Sequence, residues 1–349
     1  MSAEPVVVER RRSPDGASRF PVWSGVVLVA VVLVVSLALS LAVGARFVPL
    51  DEVILSLFGT GDQNVLNIVG ELRVTRTVNA VICGVALGAA GVLMQALTRN
   101  PIADPGMLGV SAGASFGVVA GMSILGVLGV GGTIWFALAG AALASAVIFW
   151  FSGTRFASGS PVRLILAGVA FSAILAGASQ AIVLTDETVL DAFRFWRVGS
   201  LTARPVEEAL PLVAFIVVGV ILALLLGPAL NLMALGDDSA IALGVKPGAV
   251  RALVLVAVTL LCGTATAIAG PIAFVGLVIP HLLRRLVGPD LRVVLPLSLL
   301  AGPAMLLLAD TLGRVIGGGG EVQVGIVTAL IGGPLLIAFV VGKRTARLS

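Results

Sequence analysis

An all-α polytopic membrane protein with about ten transmembrane helices is predicted by three features of the sequence. Hydrophobic residues fill 58% of its 349 positions and charged residues only 11%, too few to cover a soluble body of this size. Apolar runs long enough to cross a bilayer recur along the whole chain. The basic residues gather in alternate separators between those runs. A net charge of +4 and a pI near 10 raise the question of nucleic acid. The cations, however, sit at span ends, with no aromatic or basic face for stacking or phosphate tracking. No interior stretch is polar and long enough for a separate soluble domain.

Taken in order, the first run, about 22–45, follows Arg10-Arg11-Arg12 and mimics a signal peptide. It exceeds the ~7–15 residues of a signal core and reads as an uncleaved first helix. The remaining runs lie at about 78–98, 107–128, 133–153, 162–184, 208–230, 249–269, 271–287, 293–313 and 322–342. A tail over 1-21, a transmembrane domain over 22-342 and a basic tail over 343-349 follow from these limits. The separators are short except for 46–77 and 185–207. With the N-terminus inside, the cytoplasmic side collects fifteen cations: Arg10, Arg11, Arg12, Arg19, Arg99, Arg155, Arg163, Lys246, Arg251, Arg284, Arg285, Arg292, Lys343, Arg344 and Arg347. The outside holds seven: Arg46, Arg73, Arg76, Arg194, Arg197, Arg204 and Arg314. That asymmetry obeys the positive-inside tendency and puts both termini in the cytoplasm.

Four local patterns stand out. Gly109, Gly113, Gly117 and Gly121 repeat at four-residue spacing, which on a helix makes a groove for the backbone of a neighbour. The Pro-broken loop before them, Asn100-Pro101-Ile102-Ala103-Asp104-Pro105, is not explained by packing. The run 271–287 is the least regular span. Gly270-Pro271 begins it and Pro280-His281 breaks it, so its backbone must be buried against protein or line a cavity. Its Gly276–Leu286 stretch, GLVIPHLLRRL, echoes GVLMQALTRNP at Gly91–Pro101. Asn231–Val245 is an amphipathic cytoplasmic segment within a loop over 231-246, where Asp238 or Ser239 can cap a short helix and Gly244 can end it.

The chemistry-bearing residues exclude an enzyme. There is no GxxxxGK[S/T] phosphate loop, no GxSxG, no HExxH and no paired acids in a plausible cleft. Cys83 and Cys262 lie inside apolar spans without CxxC spacing, and the single His281, read as structural, rules out a multi-histidine metal or haem site. No cofactor is expected on this chain. Asp310, the only acid well inside an apolar span, precedes Arg314 by four residues, the spacing of a helical ion pair. A proton relay is the functional alternative. Arg73 and Arg76, three apart at the outer start of the second span, run against the charge tendency together with Arg314. With no tyrosine, Trp23, Trp135, Trp150 and Trp196 are the candidate interface anchors.

Several of these segments resemble the permease subunits of ABC importers for iron-siderophores, haem and vitamin B12. Arg99-Asn100-Pro101 through Leu108-Gly109 is similar to the family's RNP-L-A-x-P-x-x-L-G loop, and Leu235-Gly236, Ala240 and Leu243-Gly244 to its LG-x-x-x-A-x-x-L-G coupling loop. Trp196 with Gly199-Ser200-Leu201 resembles W-x-x-G-S-L. Gly270 through Leu277, then Pro280-His281 and Arg284, resembles G-x-I-x-F-x-G-L-x-x-P-H-x-x-R. Within the family the likeness is greatest to the ferric-enterobactin type, through Pro161–Ala170 and Thr264–Phe274. Two departures are Val74-Thr75 where the family has Leu-Pro, and no proline in Glu321–Gly325.

The resemblance implies a ten-span permease that imports a ferric siderophore, a catecholate in the first instance, by alternating access. Cobalamin or haem is the alternative cargo, and an ion-coupled secondary transporter the alternative class. It implies a second, similar or identical permease subunit, two cytoplasmic ATPase subunits carrying ATP and Mg, and an extracytoplasmic siderophore-binding protein, all around a lipid-embedded chain. It assigns Arg73, Arg76 and Arg314 to docking of the binding protein. Leu235, Gly236, Ala240, Leu243 and Gly244 fall to ATPase coupling, and Asn100, Pro101, Pro105, Gly109, Gly113, Gly117, Pro280 and His281 to helix packing and gating.

Overall fold

The computed structural model describes residues 21–126, 130–152, 161–202, 204–317 and 321–345. Arg10, Arg11, Arg12, Arg19, Arg155 and Arg347 lie outside them. No strand occurs among the described residues. The helices are α1 (Val22–Ala42), α2 (Leu50–Leu57), α3 (Gln63–Leu66), α4 (Val74–Thr98), α5 (Val110–Leu125), α6 (Val130–Ser152), α7 (Pro161–Val183), α8 (Glu187–Arg197), α9 (Val206–Ala209), α10 (Val213–Met233), α11 (Asp237–Ala242), α12 (Pro247–Ala269), α13 (Val275–Val287), α14 (Leu291–Ile316) and α15 (Val324–Thr345). Each of the ten apolar runs holds a long helix. Seven stretches are long and apolar enough to cross a membrane by the strictest length, with Val110–Leu125 and Val324–Ala338 shorter. The two long separators also contain helices: α2, α3 and a π-helical turn, Asn67–Arg73, that runs straight into α4, and then α8 and α9.

α4 is the axis. It is buried along most of its length, with α12 and α14 around it, while α1, α6, α7 and α10 expose apolar faces. At 25 residues it is about 37 Å long, enough to carry signals between the two ends of the bundle. Small residues set the spacing. A Cβ on Gly84 would come 2.4 Å from the backbone N of Pro303, and one on Gly88 would come 2.6 Å from the carbonyl of Ser298, so α4 and α14 lie antiparallel with their backbones touching. The four-residue glycine series works in the same way against α6. Gly113 meets Gly140, Gly117 meets the Phe136 carbonyl and Gly121 meets the Phe136 ring. Gly109 departs from the expectation: it precedes α5 in the left-handed conformation (φ 72°), turning the chain into the helix rather than lining the groove.

The echo between Gly91–Pro101 and Gly276–Leu286 is spatial as well. A Cβ on Gly91 would sit 2.0 Å from the carbonyl of Gly276, so the leading glycines of the two segments are where α4 and α13 cross. The span read at 271–287 differs from expectation in two respects. Its first part, 270–274, is not helical, and Pro280 lies inside α13 without breaking it. Proline lacks the N–H that would bond the carbonyl of Gly276, four residues earlier. Gln95 on α4 supplies the missing donor, with Nε2 3.0 Å from the Leu277 carbonyl and 3.5 Å from that of Gly276. Arg284 Nη1 in turn holds Gln95 Oε1 at 2.5 Å.

Candidate functional site

Two polar clusters lie at opposite ends of α4. At its N-terminal end, Arg76 faces Asp310 through Nη2 (3.0 Å) and Nε (3.1 Å) and reaches Glu321 Oε2 through Nη1 at 2.5 Å. Arg314 Nε lies 3.1 Å from the second Asp310 oxygen, and its other nitrogens donate to the Ser40 carbonyl (3.0 Å) and to Thr311 Oγ1 (3.1 Å). Arg73 donates to the carbonyls of Leu41, at 2.6 Å, and Arg46. Thus Asp310 serves two cations, and Arg76 was not foreseen as its partner. The three arginines come together at one end, where the sequence placed them. They are nevertheless buried and aimed inward, not displayed as bare charges. Burial dictates this: a cation removed from water needs acceptors on every donor. Glu321, whose side chain is 54% exposed, is the one acid of this set that faces solvent.

At the C-terminal end, Arg99 closes α4 in a left-handed conformation (φ 50°) that a non-glycine residue seldom takes. The loop that follows is shaped by its own side chains. Asn100 Oδ1 accepts from Ile102 N at 3.1 Å, and Asp104 Oδ1 accepts from Gly106 N at 2.8 Å. Pro105 then starts a single 3₁₀ turn, and its ring covers Gly276 at the α4–α13 crossing. Pro101 stays exposed and Ala103 is fully buried. The loop therefore re-enters the bundle instead of lying across its end. His281 is half-buried on α13.

The segment read as a coupling loop projects from the same end. Gly236, at φ 114°, and Gly244, at φ 84°, bracket α11 with backbone turns that favour glycine. No side chain caps α11. Asp237 and Asp238 occupy its first turn, which replaces the expected capping by Asp238 or Ser239 with a favourable charge at the helix N-terminus. Ala240 is fully buried beneath the helix, while Leu235, Ile241 and Leu243 expose 58–69% of their surface. The segment is thus buried on one side and apolar toward its surroundings on the other.

A cavity of about 810 Å³ opens between α7, α8, α15 and the extended 270–274 segment. The face of α8 carrying Leu190, Phe193, Arg194 and Arg197 lines it, together with Gln180 and Ile326. Asp186 caps α8: its carboxylate accepts from Thr188 Oγ1 (2.6 Å), Thr188 N (2.9 Å) and Val189 N (3.3 Å), and these bonds, the hydroxyl's first, hold it below the usual carboxylate range. Trp196 does not act as an exposed anchor. It is buried, with its ring stacked on Phe193 at 5.9 Å, whereas Trp23, Trp135 and Trp150 are exposed. No group of three or more potential metal-ligating side chains occurs among the described residues. Both cysteines are buried thiols.

Comparisons with known proteins identify the family. Residues 32–342 match the FecCD transport family. The ferric enterobactin transport system permease protein of Escherichia coli K12 is 45% identical over 313 residues, covering 90% of this chain and 93% of its own. An Fe(3+)-citrate import system permease protein of Bacillus subtilis is 36% identical (89% and 92% covered), and the hemin transport system permease protein of Yersinia pestis is 38% identical (79% and 84%). A solved metal-chelate type ABC transporter in an inward-facing conformation superposes with a TM-score of 0.78 at 29% identity, over 92% of this chain and 99% of that one. The chain belongs to the FecCD transport family and is a permease subunit of an ABC importer, with no catalytic centre of its own and ATP hydrolysis carried by a separate chain.

Proposed function

We propose that this permease carries a ferric siderophore of the catecholate type across the cytoplasmic membrane by alternating access. The observation that carries the reading is the 45% identity, over nine-tenths of the chain, to a ferric enterobactin permease. Two copies of this subunit, or this subunit and a similar one, pair with two ATPases and one extracytoplasmic binding protein. The exposed apolar faces of α7 and α15 support the pairing. Both termini lie in the cytoplasm, and the 231-246 loop presents α11 to a groove on the ATPase. On the outer side, Arg73, Arg76 and Arg314 form the docking cluster, with Glu321 occupying Arg76 until a carboxylate of the binding protein takes its place. The cavity against α8 forms part of the outer vestibule, where Arg194 and Arg197 meet an anionic chelate.

The test is uptake of radioactive iron by a strain deleted for this permease and complemented with it. The panel comprises a ferric tris-catecholate, a ferric tris-hydroxamate, ferric citrate and haem. Selective restoration of tris-catecholate uptake is expected. Restoration by haem alone would overturn the substrate assignment, and the 38% identity to a hemin permease makes that arm a necessary control.

A further inference from the structure

The carboxylate of Asp237 is shared between residues of two helices, Arg99 at the end of α4 and Arg251 near the start of α12. Arg99 Nη2, at the end of α4, lies 2.6 Å from Asp237 Oδ1, and Arg251, in the second turn of α12, grips the other oxygen. The same Arg99 nitrogen donates to the carbonyl of Met233, the last residue of α10, at 2.5 Å, beside the Gly236 N–H that the same carbonyl accepts at 3.1 Å. Four elements thus converge on two side chains: α4, α10, α11 and α12. The side chain of Arg251 is only 7% exposed, that of Asp237 30% and that of Arg99 43%. An ordinary surface ion pair contributes little, but this one is partly sheltered and reaches a nearly buried guanidinium.

The backbone is committed to it as well. Arg99 takes up the left-handed conformation (φ 50°) that sends the chain from α4 into the re-entrant loop, and its side chain is the one that reaches α11. A helix N-terminal charge would account for an acid at this position, but the neighbouring Asp238 already supplies one from the same turn, exposed and with no ion pair among the described residues. What remains to be explained is the double grip. Beneath α11 only Ala240 is buried, so packing alone leaves the short helix a small seat on the bundle. Asp237 adds the direct link to α4, the buried axis that runs to the Arg76–Asp310 cluster about 37 Å away.

We propose that Asp237 is the positioning residue through which a displacement of α11 reaches α4 and its re-entrant loop. The proposal rests on the reading of α11 as the ATPase-docking element. Pushing α11 pulls Arg99 with it. Arg99 is continuous with the Asn100–Pro105 loop whose proline lies on the α4–α13 crossing at Gly276. Severing the carboxylate lets α11 move without that crossing following.

The test uses the full complex of permease, ATPase and binding protein in proteoliposomes, with an iron-labelled ferric tris-catecholate as cargo and chelate transported per ATP hydrolysed as the readout. Arg99→Gln cuts the link to α4 while leaving Arg251 paired with Asp237. It lowers that ratio on the order of tenfold, within the range of ordinary coupling between sites. Asp237→Asn lowers it similarly, and Asp237→Glu restores most of it. In the double variant the two losses do not add, because both remove one link. The ATPase still co-purifies with each variant. An unchanged ratio in Arg99→Gln, fully additive losses, or loss of the ATPase from the variants alone would each overturn the proposal. If the wild-type permease itself fails to retain the ATPase when α11 is intact, or retains it after α11 is deleted, it is the docking reading of α11 that falls.

Discussion

Asp310 neutralises two arginines with one carboxylate, and its replacement is the most informative single change at that end of α4. Asp310→Asn leaves Arg76 and Arg314 buried without their shared counter-ion, and removal of one partner from such a site costs about 3–5 kcal/mol. Glu321→Gln removes an exposed partner of Arg76 and costs about 0–1 kcal/mol. Thermal unfolding of the purified protein in detergent should separate the two widely, and equal losses would show that Asp310 is not the keystone. Sequence spacing revealed half of this arrangement. Asp310 and Arg314 are four apart on one helix, and the pairing was legible. Arg76 lies 234 residues from Asp310, and no local periodicity encodes that meeting. The same holds for Asp237, whose two partners, Arg99 and Arg251, lie on other helices.

At the scale of elements, glycine decides which helices can touch. A methyl group on Gly91 would overlap the Gly276 carbonyl at 2.0 Å and its Cα at 2.3 Å, backbone atoms that no side-chain rotation can clear. Gly91→Ala should therefore force α4 and α13 apart at a cost of about 1–3 kcal/mol or more. Gly70, on the turn before α4, has nothing within 4 Å of a Cβ, and Gly70→Ala should be tolerated. Comparative melting of the two variants checks this, and a stable Gly91→Ala protein would mean that the crossing is looser than described. Most of the ten apolar runs were legible as helices because bilayer length and hydropathy mark them independently of their neighbours, the short α13 being the exception. The shorter α2 and α8 were less visible, being too brief for a hydropathy signal, whereas α11 was legible from its polar start and its closing Gly244. Pro280 misled for a different reason: it reads as a helix break, and the side chain that repairs the lost bond, Gln95, lies on another helix. Gly109 misled too, since its four-residue spacing to Gly113 continues past the start of the helix.

For the whole molecule, the clusters at the two ends of α4 give the orientation a direct test. Ser239 on α11 and Arg197 at the end of α8 are both exposed. In a background where Cys83 and Cys262 are replaced, a single cysteine at position 239 should react with a membrane-impermeant reagent only from the cytoplasmic side, and one at position 197 only from outside. Reaction of both from one side would overturn the ten-span topology. The opening of α13 sets a further condition on how such a molecule moves. Phe274 holds a left-handed backbone (φ 71°) and sets its side chain into the gap at Gly332, where a Cβ would come within 2.4 Å of Phe274 Cβ and Cγ. A ring seated in a one-residue notch is a key in a slot. It obstructs axial travel of α15 past the start of α13 in either direction while leaving rotation about the contact open. A slide of α15 along its axis would therefore have to lift that ring out of its seat first.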